Sequence, residues 1–269
     1  MKKAKEYQIL CVKIEENTVE CLKFGTGKKN MVILPGLSVK SVMFSAKAIV
    51  SAYSVFKKDY TVYVLDRAKL IKIGYDIYAM AQDAIEAIKE LGLNEFYLFG
   101  VSQGGAIAQV IALKYPEMVK KLVLVSTFSR LTDKIETTLR EWVKLAERGD
   151  QTALNRKIFR EIYSEKTLKD NALLLALLSR EGNAEDCKRF TRLAAATFGF
   201  DVSDKLGDIS CPTLVVGSKD DGVIPQSELI SLADVIGAER FIYDGYGHAV
   251  YDEAPDFKER IADFFGRDI

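Results

Sequence analysis

Residues 100–104, Gly-Val-Ser-Gln-Gly, contain a serine that is a candidate nucleophile. The segment fits the pattern G-x-S-x-G and stands between an apolar run that predicts a strand (95–101) and a run that predicts a helix (104–115). At a sharp turn between strand and helix, side chains two residues before and after Ser102 would collide with the adjoining elements, so glycine suits both positions. The pattern therefore predicts that the Ser102 hydroxyl projects from the end of a sheet, with free N–H groups of the helix start beside it.

His248 is the candidate base for this nucleophile. A serine hydroxyl is a weak nucleophile until a base accepts its proton. The chain contains one histidine, His248, so a Ser-His enzyme built from this sequence has no other base of that type. It lies in DGYGHAVYDEAP (244–255), between a predicted strand and a predicted helix, where the loops at sheet ends carry functional groups.

A Ser-His pair also requires a carboxylate that orients the imidazole and stabilises its charged form. Such a residue should follow a strand between Ser102 and His248. The segment PTLVVGSKDDGVIP (212–225) begins as an apolar strand and supplies two candidates, Asp220 and Asp221. The residues by themselves leave the choice between these two aspartates open.

The rest of the chain predicts the elements that must position these side chains. Strand-like and helical segments alternate from about residue 30 to 130 and again from about residue 212, as in a parallel sheet with helices on both faces. Two strands open the chain as a hairpin around EENT (15–18), and residues 41–56 predict one helix. Residues 131–203 show helical stripes and no strand pattern. We therefore predict an α/β fold with a mostly parallel central sheet, formed by 1–130 and 204–269, and an inserted all-helical cap, 131–203.

The chain resembles the α/β-hydrolase family in the order of Ser102, the aspartate pair and His248. It resembles that family further in the LPG strand end (34–36), the helical insert and the tail GHAVYDEAP (247–255). The resemblance extends from about residue 20 to the end of the chain. It implies the α/β-hydrolase fold, in which the inserted helices form a cap over the substrate pocket.

The same resemblance bears on the choice of acid. In this family the acid commonly follows the strand-opening proline by nine residues and precedes the loop proline by four, and the counts from Pro212 and Pro225 both reach Asp221. A third count, three residues on from Gly217, reaches Asp220. Two counts against one favour Asp221, and the other aspartate would then be a solvated loop residue.

The family resemblance also implies an oxyanion hole, a pair of N–H donors that stabilises a tetrahedral intermediate. It assigns one backbone N–H to Gln103, directly after the nucleophile, and the other to Leu37, after the glycine that ends the third strand. Many relatives carry a histidine before that glycine, whereas this chain has Pro35. The presence of Pro35 makes the match to the family's sequence motif weaker. It has less effect on the expected mechanism, because the backbone N–H donors do not need that histidine.

The insert contains aromatic and leucine residues that would line the pocket beneath a cap. Residues of these types at helical spacing are mostly core, so we expect about a third of them to contact substrate. The residues are Trp142, Phe159, Tyr163, Leu174, Leu178, Phe190 and Phe198. Our predicted substrate pocket contains Trp142, Phe159, Tyr163 and Phe198.

Composition argues against several classes of function. The chain has 269 residues, and 48% of them are hydrophobic. Its 38 basic residues are balanced by 38 acidic residues, so nucleic acid is not the expected partner. No apolar run has the length of a membrane span or the form of a secretory leader, so we expect a cytoplasmic protein. Cys11 and Cys21 could face each other across the opening hairpin, but reduced thiols are expected, and the four cysteines lack metal-ligand spacing. We predict neither a metal nor an organic cofactor.

These features together predict a serine hydrolase that acts on a carboxylester with a small or medium acyl group, with water as the second substrate. Other chemistries of the fold stay open: C–C bond hydrolysis, enol-lactone hydrolysis, cofactor-free haloperoxidation, and aminopeptidase activity. An aminopeptidase should present acidic groups from the cap, and the candidates are Glu136, Glu141, Glu161 and Glu165. A protein that senses a small ligand with slow turnover also stays open, as does the oligomeric state.

Overall fold

The computed structural model describes residues 6–15, 17–72 and 74–268, so Glu16 in the predicted hairpin turn lies outside the described residues. Within these ranges the chain forms an 8-stranded sheet. Its strands are β1 (Tyr7–Ile14), β2 (Asn17–Phe24), β3 (Lys29–Leu34), β4 (Tyr60–Leu65), β5 (Phe96–Val101), β6 (Val119–Val125), β7 (Thr213–Ser218) and β8 (Glu239–Tyr243).

Helices follow most of the strands. The α-helices are α1 (Ala46–Ala52), α2 (Ile77–Glu90), α3 (Gln103–Lys114), α4 (Asp133–Glu147), α5 (Gln151–Ile162), α6 (Glu165–Asp170), α7 (Ala172–Leu178), α8 (Ala184–Ala195), α9 (Gln226–Ile236), α10 (Val250–Glu253) and α11 (Phe257–Gly266). Short 3₁₀ helices cover Val42–Ser45, Ser54–Phe56 and Ser203–Asp208.

The sheet is mostly parallel, in the order β1-β2-β4-β3-β5-β6-β7-β8. Only the pairs β1–β2 and β2–β4 are antiparallel. From β4 to β8 all neighbouring strands run parallel, so their carboxyl ends lie at one edge of the sheet. This arrangement confirms the predicted fold class, and it brings the loops after β3, β5, β7 and β8 to the same side of the molecule.

Both faces of the sheet are buried, which explains why the central strands are apolar almost throughout. Along β5, Phe96 and Leu98 face a core shared with α2, α3 and α9. Phe99 and Val101 face a second core shared with α1 and α11. The strand period of two thus divides one apolar run between two helix layers.

Two local expectations are corrected by the structure. The segment 41–56 is not one helix. The Ser41 hydroxyl accepts a hydrogen bond from the Met43 N–H (3.2 Å), and this bond begins a 3₁₀ turn before α1. A second 3₁₀ turn follows α1. Cys11 and Cys21 do not face each other. Cys11 lies opposite Glu20 in the ladder and is exposed, whereas Cys21 is buried on the other face.

Between β6 and β7 the described chain is helical, from α4 to α8. Its two ends meet at an isolated β-bridge between Arg130 and Asp201, next to a hydrogen bond from the Val202 N–H to the Ser129 carbonyl (2.9 Å). We call the region from α4 to α8 the helical insert. In the described part of the chain, no helix is both long and apolar enough to cross a membrane.

Candidate active site

Ser102 occupies a strained turn between β5 and α3. Its backbone lies at φ 51° and ψ −121°, a region that costs an L-residue about 1–3 kcal/mol. Hydrogen bonds on both sides hold this turn. The Ser102 N–H donates to the Val125 carbonyl (2.9 Å), and the Ser102 carbonyl accepts from the Thr127 hydroxyl (2.6 Å) and the Gly105 N–H (2.8 Å). The turn is thus anchored to the end of β6 and to the first turn of α3.

The glycines that flank Ser102 are required by close backbone approach. A Cβ at Gly104 would lie 2.0 Å from the Leu34 carbonyl oxygen and 2.4 Å from that of Pro35. A Cβ at Gly100 would lie 2.6 Å from the Gly104 carbonyl oxygen. These separations are far below van der Waals contact, so the helix can start against the end of β3 only when both positions lack a side chain.

The two predicted oxyanion donors lie beside Ser102. Leu37 and Gln103 line the same cavity as Ser102, and a Cβ built on Gly36 would lie 3.3 Å from the Ser102 Cβ. Among the described residues, neither the Leu37 N–H nor the Gln103 N–H donates a hydrogen bond. Gln103 opens α3, and the N–H groups of a first helical turn have no partner within the helix. Both donors are therefore available to an anion next to Ser102.

His248 is paired with Asp221. The His248 Nδ1 lies 2.8 Å from Oδ2 and 3.0 Å from Oδ1 of Asp221. His248 is 4% exposed, and the Asp221 side chain is fully buried. Asp221 Oδ1 also accepts from the N–H groups of Val223 and Ile224, both at 2.8 Å, which fixes the carboxylate. When Nδ1 carries the proton and donates it to Asp221, Nε2 is the basic atom of the ring.

Asp220 has a different position. It is exposed, and its Oδ2 accepts a hydrogen bond from the Gly245 N–H (2.8 Å) in the loop after β8. Its carboxylate therefore ties two loops together on the outside of the molecule. Of the two predicted acids, the structure brings Asp221 to His248 and leaves Asp220 away from it.

Ser102 and His248 line one cavity. No hydrogen bond joins the Ser102 hydroxyl to His248 in the described part of the chain, and such a contact is often long before a substrate is bound. The cavity has a volume of about 50 Å³. Apart from Ser102 and His248, the described residues that line the cavity are almost entirely apolar or aromatic. They include no lysine, arginine, aspartate or glutamate. They are Gly36, Leu37, Gln103, Phe128, Ile135, Leu139, Trp142, Ile158, Ile162, Thr197, Val223, Ile224 and Tyr251.

A wider groove of about 840 Å³ adjoins this cavity at the surface. Leu37, Ile158, Ile162 and Tyr251 line both spaces, so the two are contiguous. The groove runs between residues 37–51 and the helical insert.

The predicted pocket residues divide into two groups. Trp142 lines the cavity and Phe159 lines the groove. Tyr163 and Phe198 line neither space, and this corrects two of the predicted positions. The Tyr163 hydroxyl lies 3.5 Å from a carboxylate oxygen of Asp252, and the Phe198 ring packs 4.5 Å from the Arg140 guanidinium.

The other aromatic and leucine residues proposed for the lining are also divided. Leu178 lines the groove, whereas Leu174 is 53% exposed and Phe190 is buried in the core against Trp142. The helical insert reaches the cavity through Trp142 and aliphatic residues of α4 and α5, and Thr197, which follows α8, also lines it. A helical stripe in the sequence identifies the buried side of a helix, but it does not separate core contacts from cavity contacts.

The loop that carries His248 is fastened to the helical insert. The Glu253 carboxylate accepts hydrogen bonds from the Gly247 N–H (2.6 Å) and from the N–H (2.9 Å) and hydroxyl (2.6 Å) of Ser164. The Ala249 N–H donates to the Ile162 carbonyl at the end of α5 (2.7 Å). These bonds set the position of the histidine relative to the insert. Sequence reasoning missed Glu253, since an acidic residue after a histidine carries no distinct signal.

Arg67 is a second residue that sequence reasoning missed. It follows β4 and is buried, with 8% exposure, and its guanidinium donates to the Pro35 carbonyl and to the Gln103 side chain. The available signal was a pair of charged residues, Asp66 and Arg67, directly after the strand-like run YTVYVL (60–65). A charge at that position is unusual because the carboxyl ends of the strands are covered by other elements.

Comparison with known proteins identifies the family. The alpha/beta hydrolase fold family matches residues 29–255. The "Putative carbamate hydrolase RutD" of Rhizobium rhizogenes (strain K84 / ATCC BAA-868) is 31% identical over 196 residues, which cover 70% of this chain and 73% of that protein. The 2-hydroxy-6-oxo-6-phenylhexa-2,4-dienoate hydrolase of Comamonas testosteroni is 30% identical over 183 residues, covering 65% and 64%.

Solved structures show the same fold. The crystal structure of MGS-M2, an alpha/beta hydrolase enzyme from a Medee basin deep-sea metagenome library, superposes with a TM-score of 0.85. It covers 97% of this chain and 98% of its own, at 24% sequence identity. The helical insert is thus part of an arrangement that extends over nearly the whole of both chains.

We predict that Gly104→Ala destabilises the protein by more than about 3 kcal/mol or prevents folding, because its Cβ would overlap backbone carbonyls that cannot move away. The matched control is Gly207→Ala, since a Cβ there meets nothing within 4 Å, and it should change stability by less than about 0.5 kcal/mol. Urea unfolding followed by circular dichroism measures both. Equal unfolding midpoints for the two variants would contradict the close packing of α3 against β3.

Proposed function

Because the chain belongs to the α/β-hydrolase family, we propose that it is a serine hydrolase in which Ser102, His248 and Asp221 form the catalytic triad. One observation carries the proposal. The strained serine between β5 and α3 shares a cavity with a buried histidine whose Nδ1 lies 2.8 Å from a buried aspartate. The names of the related hydrolases support hydrolytic chemistry in general terms. The helical insert is, in this proposal, the cap over the site.

The proposed reaction has two stages. The Ser102 hydroxyl attacks the substrate carbonyl carbon, and His248 Nε2 accepts the serine proton while Asp221 stabilises the imidazolium. The oxygen of the tetrahedral intermediate accepts hydrogen bonds from the N–H groups of Leu37 and Gln103. His248 then gives the proton to the leaving group, and an acyl-enzyme forms. Water, deprotonated by His248, attacks the acyl carbon and releases the acid and free Ser102.

We propose an uncharged carboxylester with a small or medium acyl group as the substrate class. The cavity lining contains no cationic side chain that could hold a substrate carboxylate, and burial of an unpaired carboxylate is costly. This argues against the dienoates that the names of the C–C hydrolase relatives specify. It leaves neutral esters and lactones as the substrates that fit.

Aminopeptidase activity is not favoured by the acidic residues of the insert. Glu136 pairs with Arg140, and Lys157 pairs with both Glu141 (2.8 Å) and Glu161 (2.9 Å). None of these carboxylates, nor Glu165, lines the cavity beside Ser102. A substrate amine would therefore find no carboxylate partner there.

Hydrolysis of an uncharged carbamate is the second candidate function. The observation that favours it is the 31% identity to a protein named as a carbamate hydrolase. Ser102 would attack the carbamoyl carbon by the same sequence of steps, and the uncharged lining suits a neutral carbamate as well as a neutral ester. The two candidates share the triad and differ in the leaving and acyl groups.

The experiment that tests the proposal is reaction of the purified protein with a fluorophosphonate probe, read by intact mass and peptide mapping. We expect a single adduct on Ser102, which is lost in Ser102→Ala and strongly slowed in His248→Ala, since the probe needs an activated hydroxyl. Turnover of p-nitrophenyl butyrate, measured in parallel, distinguishes an enzyme from a ligand sensor that forms the adduct but releases no product. Absence of an adduct in folded protein would overturn Ser102 as the nucleophile.

Paired substitutions separate the two aspartates. We predict that Asp221→Asn lowers kcat for p-nitrophenyl butyrate by about 10⁴-fold, because the amide stabilises the wrong imidazole tautomer. Asp220→Asn should keep kcat within about threefold, since among the described residues the Asp220 carboxylate bonds only the Gly245 N–H of the neighbouring loop. Steady-state kinetics of both variants is the measurement. A larger loss in Asp220→Asn would exchange the roles of the two residues.

The uncharged lining generates a prediction on substrate choice. We expect kcat/KM for the p-nitrophenyl monoester of adipic acid to be at least about 100-fold below that for p-nitrophenyl hexanoate, because the free carboxylate would be buried without a partner. The methyl ester at the far carboxyl group of the adipate substrate is the matched control and should recover most of the rate. Equal rates for the acid and its methyl ester would mean that this end of the substrate stays in solvent.

A further inference from the structure

A buried arginine connects the two segments that carry the proposed oxyanion donors. Arg67 Nη2 donates to the Pro35 carbonyl at 2.7 Å, two residues before Leu37. The same guanidinium donates to the Gln103 side-chain oxygen, from Nη2 at 3.2 Å and from Nε at 3.3 Å. One planar group thus spans the loop after β3 and the first residue of α3. The relative position of these two segments determines where the two N–H groups point.

The Gln103 side chain extends this connection to the helical insert. Its Nε2 donates to the Leu193 carbonyl (2.7 Å) and to the Thr197 hydroxyl (2.8 Å). Because the amide oxygen accepts from Arg67 and the amide nitrogen donates to α8 and the residues after it, the bonds define one orientation of the amide. Gln103 is 2% exposed, so water does not compete for these bonds. The residue after the nucleophile is therefore held from two sides.

The charge of Arg67 lacks a directly bonded carboxylate among the described residues. Asp66 is adjacent, but its Oδ1 accepts from the Arg67 backbone N–H and from the Arg189 guanidinium, both at 2.8 Å. Burial lowers the pKa of the Arg67 guanidinium to about 10, so it stays charged at neutral pH. A buried cation whose side chain bonds only neutral acceptors is costly by itself. Formation of an anion nearby would offset part of that cost.

We propose that Arg67 is a positioning residue for the oxyanion hole: it fixes the Pro35 loop against Gln103, and its positive charge favours the tetrahedral anion formed at Ser102. This inference rests on the proposed serine hydrolase function. In this proposal Arg67 stabilises the transition state but does not contribute to binding of the substrate in its ground state. Loss of Arg67 should therefore reduce kcat and leave KM nearly unchanged.

The test compares Arg67→Met with a neighbouring control, Arg189→Met. Arg189 lies on α8 and bonds Asp66, and within the described residues it makes no hydrogen bond to Pro35 or Gln103. With p-nitrophenyl butyrate we expect Arg67→Met to lower kcat by about 100-fold with KM within about threefold, comparable to loss of one oxyanion donor. Arg189→Met should keep kcat within about threefold. Thermal melting of each variant shows whether the fold is retained.

Binding of phenylboronic acid separates this role from a purely structural one. Its boron accepts the Ser102 oxygen, the serine proton passes to His248, and the adduct is a tetrahedral anion that needs the oxyanion hole. We expect Arg67→Met to weaken binding of this inhibitor by about the same factor as it lowers kcat, while inhibition by butyramide, a neutral ground-state analogue, stays unchanged.

Arg67→Lys retains the charge but cannot bond both acceptors with one planar fork, so about a tenfold loss of kcat is expected.

Three outcomes would overturn the inference while leaving the triad intact. These are unchanged kcat in folded Arg67→Met, equal losses of boronate and butyramide affinity, or an equal loss of kcat in Arg189→Met. If Arg67→Met does not fold, Arg67→Lys decides the question, since wild-type kcat in that variant would contradict the proposal. A wild-type protein that neither reacts with the fluorophosphonate nor cleaves any ester would instead overturn the proposed function itself.

Discussion

The strained turn at Ser102 is the constraint on which the surrounding structure depends. A positive φ at a serine persists only where neighbouring groups hold it. Here the hydrogen bonds come from the end of β6, through the Val125 carbonyl and the Thr127 hydroxyl. That approach requires Gly105, because a Cβ there would lie 2.4 Å from the Thr127 hydroxyl oxygen. The parallel sheet then brings the loops after β7 and β8 to the same edge, where Asp221 and His248 meet.

Polar contacts fix the helical insert to this edge at separate points. Glu253 ties Ser164, at the start of α6, to the loop of His248, and Gln103 bonds the carbonyl of Leu193 in α8. A third contact is the ion pair between Arg189 of α8 and Asp66 (2.8 Å), whose side chains are largely buried. The first two contacts involve a residue of the candidate site or its direct neighbour, whereas Arg189 and Asp66 do not line the cavity. Movement of the insert would therefore alter the site as well as its access.

Charge is distributed around the cavity in a way that suits a neutral substrate and an anionic intermediate. The lining residues are uncharged apart from His248 when it is protonated. The charged groups Arg67 and Asp221 lie behind the lining, and each is hydrogen-bonded to a residue that reaches the cavity, Gln103 or His248. A substrate thus meets an apolar surface. In the proposed reaction, charge that develops at Ser102 meets oriented N–H groups instead of water.

The sequence by itself determined the fold class and the candidate nucleophile and base. The alternation of strands and helices, the G-x-S-x-G turn and the single histidine are local or compositional signals, and these do not depend on how distant segments meet. The resemblance to the family added Asp221 and the backbone donors at Leu37 and Gln103. The helical stripe of α4 also located Trp142 correctly at the inner side of the insert.

Only the tertiary structure decided which side chains meet across loops. Asp220 and Asp221 are neighbours in the chain, and the turn after β7 directs one toward Gly245 and the other toward His248. Tyr163 and Phe198 have the right residue types for a pocket, yet the ends of their helices carry them outside it. Arg67 gave almost no signal because its partners lie 32 and 36 residues away in the chain. Periodicity fixes the buried side of each element, whereas long-range contacts depend on how those elements pack together.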